Sequence, residues 1–149
     1  MTVKEILKNH DIKYSTQREK IVEILRDSPL PMTINQLYKT LNQDEQNVDL
    51  STIYRNLDTL AEKGLALKTT HMDNDESTYE FNRHEHRHYL ICQECKAIEI
   101  IEGCPMHDFE SEVEKSSNYV ITGHRLELYG ICPSCQAKRL KSSSSITGQ

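Results

Sequence analysis

The sequence of 149 residues has no excess of positive charge and no long apolar run. Its 18 basic and 23 acidic side chains give a net charge of −5, which argues against a protein that coats nucleic acid non-specifically through charge alone. No stretch approaches the ~18 apolar residues of a membrane span, and the N-terminus lacks the basic-then-apolar pattern of a secretory signal. We therefore predict a folded cytoplasmic protein with no membrane partner.

Charge, histidine and cysteine are unevenly distributed along the chain, which predicts two modules. Residues 1–70 carry 10 basic and 10 acidic side chains, whereas residues 71–149 carry 8 and 13. All five cysteines and five of the seven histidines fall within residues 84–135. We place the first module at residues 1–82 and the second at 83–140. The serine-rich tail at 141–149 has nothing to bury and is predicted to be disordered.

Apolar periodicity and capping residues predict four helices before residue 65. The first contains Val3, Ile6 and Leu7 on one face. The next two begin with capping-box spacing at residues 16–19 and 33–36, and the fourth runs from about residue 51 to 63, with Gly64 placed to close it.

A hairpin after these helices predicts a winged helix. Residues 65–70 and 77–81 alternate apolar and polar side chains around a turn at residues 72–75. In a helix-turn-helix the second helix enters the major groove N-terminus first. The fourth helix suits that role, because its hydroxyls and Arg can reach bases and phosphates. The residues opposite its apolar face are Ser51, Thr52, Arg55 and Asp58, with Tyr54 at the flank. Alternatively, Tyr54 and Arg55 are only solvent-exposed surface residues of a small helical domain.

Two CxxC pairs are the strongest chemical signal in the second module. Cys92 and Cys95 form one pair, Cys132 and Cys135 form the other, and 36 residues separate them. Two such knuckles can complete a tetrahedral shell of sulfur around zinc, which leaves no open position and makes the site structural. The alternatives are redox disulfides or four buried thiols. Neither HExxH nor the deaminase motifs are present, so a zinc hydrolase or deaminase is not supported.

The histidines form a second group of candidate ligands. His84, His86 and His88 alternate along residues 83–91, so a strand there would place them on one face. His107 lies at the start of a predicted helix and His124 beside a predicted strand at 125–129. A histidine-rich surface without metal is the alternative. The fifth thiol, Cys104, is interpreted as a small buried residue, a helix cap, a reactive thiol or a further ligand.

The order of these motifs is similar to that of a known family. The segment Leu50-Ser51-Thr52-Ile53-Tyr54-Arg55-Asn56-Leu57 is followed by the histidines, a CxxC pair, His124, Tyr129-Gly130-Ile131-Cys132 and the second CxxC pair. This order resembles the ferric uptake regulator (Fur) family of bacterial metal-responsive transcription factors across about residues 3–137. Residues 101–106 and 123–130 look most like its zinc uptake regulator (Zur) branch.

The resemblance implies an α+β protein with a winged-helix DNA-binding domain at 1–82 and a small α/β dimerisation domain at 83–140. It implies a homodimer on a palindromic double-stranded DNA operator, and a structural Zn²⁺ on Cys92, Cys95, Cys132 and Cys135. The implied DNA contacts are Tyr54 and Arg55 with Ser51, Thr52 and Asn56 adjacent. We add Arg18, which belongs to a locally basic N-terminal segment with Lys4, Lys8, Lys13 and Lys20.

The implied regulatory metal site has two versions. The family's hinge site maps onto Pro31, Glu80, Arg87, Tyr89 and Ile100, of which only Glu80 could ligate. A shifted hinge site using Glu80, His84, His71 or Cys104 stays open. The family's other site maps onto His86, His88, His107 and His124, so we predict the regulatory Zn²⁺ there.

These residues predict a metal-dependent transcriptional repressor, most like a zinc-responsive regulator of metal uptake. It would not be an enzyme and would take no small-molecule substrate beyond the metal ion. The resemblance implies that peroxide sensing needs iron in the hinge site with His and carboxylate ligands, which are missing here, so this role is disfavoured. Iron regulation is also disfavoured, because a nitrogen-rich tetrahedral site suits zinc better than an oxygen-rich octahedral one. The alternatives are a family member that responds to iron, manganese or peroxide, or a zinc-ribbon redox or interaction module.

Overall fold

The computed structural model describes residues 1–43, 47–71 and 76–143, and the chain divides into two compact units, Met1–Glu85 and His86–Gln149. None of the helices in these residues is long and apolar enough to cross a membrane. The last helix continues to Ser143, so residues 141–143 of the predicted disordered tail are helical. The rest of that tail lies outside the described residues.

The first unit is a winged helix, as predicted. Its elements in chain order are α1 Val3–Asn9, α2 Thr16–Asp27, β1 Met32–Thr33, α3 Ile34–Leu41, α4 Leu50–Glu62, β2 Ala66–Thr70 and β3 Ser77–Phe81. The strands form an antiparallel sheet in the order β1-β3-β2. β2 and β3 are the predicted hairpin; the turn predicted at 72–75 lies outside the described residues.

Side-chain caps decide where these helices begin. Thr33 and Gln36 form the predicted capping box at the start of α3. The cap predicted for α2 is displaced by one residue, because the Ser15 side chain accepts from the Arg18 backbone N–H and Thr16 is already helical. Gly64 follows the end of α4 with φ +80°, a conformation that glycine adopts without strain.

An apolar core joins the helices of the first unit to the β2–β3 hairpin, which is the wing. Leu25 of α2, Leu37 of α3 and Leu57 of α4 are almost fully buried, and Tyr79 packs on them from β3. Fully burying one such side chain stabilises the fold by about 1.5–3 kcal/mol. This core fixes α4 with its opposite face in solvent.

The second unit is a small sheet flanked by two helices. It contains β4 His88–Cys92, β5 Ile98–Ile101, α5 Met106–Ser117, β6 Glu127–Gly130 and α6 Pro133–Ser143. β4 lies in the middle of the sheet, antiparallel to β5 and parallel to β6. Its buried apolar side chains, among the residues described, are Tyr89, Ile91, Cys92 and Cys135, and α5 buries none of its residues.

The strand predicted for residues 83–91 is wrong in its extent. β4 begins only at His88, whereas His84 has φ 56° and its backbone N–H donates to Asn82 Oδ1. A left-handed residue interrupts an extended strand, so the three alternating histidines do not share one strand face.

Candidate functional site

The four CxxC thiols converge in the second unit. Their sulfur atoms all lie within 4.8 Å of one another. Cys92 Sγ is 3.8 Å from Cys135 Sγ, and Cys95 Sγ is 3.7 Å from Cys132 Sγ. A tetrahedral zinc with Zn–S bonds of ~2.3 Å requires sulfurs ~3.8 Å apart. The thiols therefore fit a four-sulfur metal site.

Strand register explains why knuckles 36 residues apart meet. β4 and β6 are parallel neighbours, and Cys92 at the end of β4 pairs with Gly130 at the end of β6. After each of these strands the chain turns into a CxxC segment, and both segments lie at the same edge of the sheet. α6 begins at Pro133 and carries Cys135 in its first turn.

Backbone hydrogen bonds prepare the thiols unequally for ionisation. The Cys132 N–H donates to Cys92 Sγ at 3.4 Å, and this bond is the main reason that the pKa of Cys92 falls to about 6. The hydrogen bond of Cys135 with the Cys132 side chain, followed by burial, raises the pKa of Cys135 to about 12. A divalent cation supplies the positive charge that lets all four ionise together.

A second group of donors lies at the opposite end of β4. It consists of His86, His88, His124 and Cys104, whose donor atoms also lie within 4.8 Å of one another. The three imidazole Nε2 atoms are each 3.2–3.3 Å from Cys104 Sγ. His124 Nε2 is 2.9 Å from His86 Nε2 and 3.1 Å from His88 Nε2.

These five contacts cannot all be hydrogen bonds, because an Nε2 that carries a proton has no lone pair left to accept another. A metal ion needs the opposite arrangement, with every lone pair directed at one centre. Tetrahedral zinc with this donor set requires separations of ~3.3–3.6 Å, within about half an ångström of those observed. The donor set therefore fits a four-coordinate, tetrahedral metal ion such as zinc.

Two of the histidines are held in a defined orientation. His124 Nδ1 contacts the Glu110 carboxylate on α5. His88 hydrogen-bonds the backbone of Leu126, and its burial, followed by the charges of His86 and His124, lowers its pKa below the ordinary value. A lowered pKa keeps the His88 imidazole neutral, which is the form that ligates metal.

The regulatory group predicted from sequence is changed in one member. The structure brings His86, His88 and His124 together, but the fourth member is Cys104, and His107 lies exposed in the first turn of α5. Cys104 is neither buried nor the helix cap, since Pro105 occupies the cap position. The remaining candidates, Glu80 and His84, belong to no cluster of three or more such donors within residues 1–43, 47–71 and 76–143.

Sequence reasoning missed Glu110. It lies four residues after Met106, where α5 begins, and 14 residues before its partner His124. The one available signal was its position on the helix that follows Cys104, since histidine ligands commonly donate their second N–H to a carboxylate.

The predicted recognition helix is α4, and its N-terminal half is exposed. The Tyr54 side chain is 50% exposed and Arg55 extends from the same face. Among the described residues, the hydrogen bonds of Arg55 are both long, at 3.4 Å, from Nε to the Ser51 carbonyl and from an N–H group to Thr52 Oγ1. These side chains can turn toward a ligand such as DNA at little cost.

Asn56 of α4 is buried and hydrogen-bonded to the half-buried Arg18 of α2. Asn56 is only 8% exposed, and its Oδ1 accepts from Arg18 Nε at 3.0 Å while its Nδ2 donates to the Thr52 carbonyl. Arg18 also donates to the Lys13 carbonyl at 2.7 Å. The structure therefore shows these two predicted contact residues joining α2 to α4.

A winged helix combined with two groups of metal-ligand side chains defines a metal-binding transcription regulator. The family model for the ferric uptake regulator family matches residues 9–129, and the chain belongs to that family. Its members are metal-responsive, non-enzymatic transcription factors that bind DNA and act as dimers.

Individual relatives agree with this assignment. The chain is 31% identical over 132 residues to the peroxide-responsive repressor PerR of Staphylococcus aureus, covering 89% of this chain and 88% of that protein. It superimposes on the ferric uptake regulator of Vibrio cholerae with a TM-score of 0.77 and 26% identity, over 86% of this chain and 98% of the other. For the Helicobacter pylori Fur the TM-score is 0.78 at 23% identity, over 90% and 89%.

Proposed function

We propose that this chain is a zinc-responsive transcriptional repressor that binds a palindromic operator as a homodimer. The observation that carries the proposal is the convergence of three imidazole nitrogens and the Cys104 thiol on one point. In this proposal the four CxxC thiols hold a structural Zn²⁺ and the second group holds the regulatory Zn²⁺. The function agrees with the resemblance to the Zur branch.

The donor types support zinc as the regulatory metal. Imidazole and thiolate are borderline-soft to soft ligands that suit zinc in tetrahedral geometry, whereas manganese and magnesium prefer carboxylate and carbonyl oxygens in octahedral sites. The cluster contains no carboxylate as a direct member. Cys104 strengthens this preference relative to the predicted His107.

The position of His86 supports a regulatory role for the site. His86 is the first residue of the second unit and directly follows Glu85, where the first unit ends. When His86 joins the ligand shell with His88 and His124, the end of the connecting segment becomes fixed to the sheet. In this proposal the regulatory metal therefore acts on the segment that leads out of the winged helix.

A four-ligand metal site can supply the differential metal affinity that this regulation requires. Moving the protein from mostly inactive to mostly DNA-competent needs about 5 kcal/mol of differential metal affinity between the two states. Structural zinc sites in small peptides contribute ~10–16 kcal/mol, so a four-ligand site can supply this difference.

A dimer is supported by apolar side chains exposed on the sheet. Leu90 of β4 and Leu128 of β6 are register partners, and they are 38% and 50% exposed. A second copy would cover them and, through two-fold symmetry, present two recognition helices to two half-sites of a palindrome.

The test measures operator affinity at fixed salt with and without zinc, using DNA selected from random sequence by the zinc-loaded protein. The wild type should bind at least tenfold more tightly with zinc and should hold two zinc ions per chain. The double variant His86→Ala/His124→Ala should hold one ion and lose the zinc response.

His107→Ala is the matched control, since it removes a nearby histidine that lies outside the cluster. It should keep both ions and the full response. Unchanged operator affinity on adding zinc, or an undiminished response in the double variant, would contradict the proposal.

A peroxide-responsive repressor is the second candidate, favoured by the named function of the S. aureus relative. Separate titrations with Zn²⁺, Mn²⁺ and Fe²⁺, each with and without peroxide, distinguish the two. Release of DNA by peroxide only from the Fe²⁺-loaded protein would favour this candidate. Zinc loss under mild oxidation, together with the absence of specific DNA binding, would instead favour a redox or interaction module.

A further inference from the structure

The Glu110 carboxylate contacts the regulatory group through the His124 ring nitrogen that faces away from the metal position. Its Oε1 atom meets His124 Nδ1, while His124 Nε2 faces His86, His88 and Cys104. The His124 and Glu110 side chains are 15% and 25% exposed. The contact is therefore largely shielded from water, which would otherwise compete for both groups.

The two nitrogens of His124 must play opposite roles if its Nε2 is to ligate. A neutral imidazole carries one proton, and a lone pair is available on Nε2 only when that proton lies on Nδ1. A carboxylate oxygen can only accept, so Glu110 selects the Nδ1–H form of the ring. It also makes Nε2 a stronger donor to a cation.

The same segment of chain supplies both a ligand and this carboxylate. Cys104 lies two residues before α5 begins, and Glu110 lies in the first turns of that helix. α5 buries none of its own residues, and Glu110 gives the helix a polar contact with His124. Glu110 thus ties the orientation of His124 to the position of α5.

We propose that Glu110 is a positioning residue for the regulatory metal. By accepting a hydrogen bond from His124 Nδ1, it holds the His124 ring with its Nε2 lone pair directed at the other three ligands. This orientation sets the metal affinity of the site. The proposal rests on the proposed function, because it assigns Glu110 to the site at which zinc is sensed.

The test compares Glu110→Gln with the matched control Glu112→Gln, which removes the same charge from an exposed position on the same helix. Zinc affinity is measured by chelator competition on the full-length protein whose four-cysteine site is already loaded. Glu110→Gln should weaken binding of the second zinc about 10- to 100-fold. Glu112→Gln should bind like the wild type.

Two further measurements separate positioning from a general structural effect. Nitrogen NMR of the imidazoles should show His124 in the Nδ1–H form in the wild type and in Glu112→Gln, and in a mixture of forms in metal-free Glu110→Gln. The visible spectrum of Co²⁺ in the second site should keep its tetrahedral pattern in Glu110→Gln, because Glu110 is not a ligand.

Equal zinc affinity in the two variants would overturn the proposal, as would a changed coordination number of Co²⁺ in Glu110→Gln. Failure of the proposed function gives a different result. In that case the second zinc would bind, with Glu110 affecting its affinity, and operator binding would not respond to it.

Discussion

Replacing one buried cysteine should unfold the second unit while leaving the first intact. Cys135 is 4% exposed and supplies one of the four sulfurs. Cys135→Ser removes a thiolate of the proposed structural zinc site and leaves a hydroxyl among three thiols. Because zinc binding in such a site is coupled to folding, the loss of metal should appear as a loss of structure.

The structure indicates how strongly the second unit depends on this metal. In the part of it that the structure describes, the buried apolar side chains other than cysteines are Tyr89 and Ile91. Two side chains of this size contribute about 3–6 kcal/mol, whereas a structural zinc site contributes ~10–16 kcal/mol in small peptides. The described part of the first unit has a core of 15 buried apolar residues that includes no cysteine.

Hydrogen exchange measured peptide by peptide, together with zinc stoichiometry, tests this prediction. Cys135→Ser should lose protection across β4, β5 and β6 and keep protection in α2, α4 and the wing. Cys104→Ser is the comparison variant, because it removes a thiol from the other donor group: the zinc of the four-cysteine group, and the protection that it gives to β4, β5 and β6, should be kept. A zinc-free Cys135→Ser protein with normal protection in β4 would refute the reasoning, because apolar contacts would then suffice to hold the sheet.

Two predictions concern the first unit. Arg55→Ala should lower operator affinity about 5- to 100-fold in a binding assay at fixed salt, without changing the helical circular dichroism. Lys63→Ala, at the far end of α4, is the control and should bind as the wild type does. Leu57→Ala should lower the free energy of unfolding by about 2–5 kcal/mol in urea titrations, because Leu57 is fully buried, and equal losses in Leu50→Ala, where Leu50 is 42% exposed, would contradict this.

The features that could be predicted from the sequence are those fixed by local spacing. The capping box at Thr33 and the glycine after α4 each depend on a few adjacent residues, so the pattern is sufficient to place them. The CxxC pairs are similar, because each knuckle is formed locally. The α2 cap moved to Ser15 because neighbouring hydroxyl residues offer nearly equivalent caps, and only the backbone conformation selects one.

The proposed regulatory group was only partly predictable, because its members meet through sheet register. His88 pairs with Ile101 across β4 and β5, and this pairing carries the chain after β5 toward the histidines, where Cys104 is the first thiol or imidazole it offers. His107 falls beyond it in α5. Helical and strand periodicity contain no information on such a pairing, which explains why Cys104 was only one of several possible ligands and Glu110 was not assigned to the site.

The length of β4 constrains which insertions this fold can accept. His88 begins the strand and Cys92 ends it, so one strand of five residues holds a member of each ligand group, with their Cα atoms about 13 Å apart. One added residue would lengthen that spacing and turn one of the two side chains to the opposite face. Length variation among descendants of this chain should therefore accumulate in connections such as residues 118–123, and residues 88–92 should keep their number.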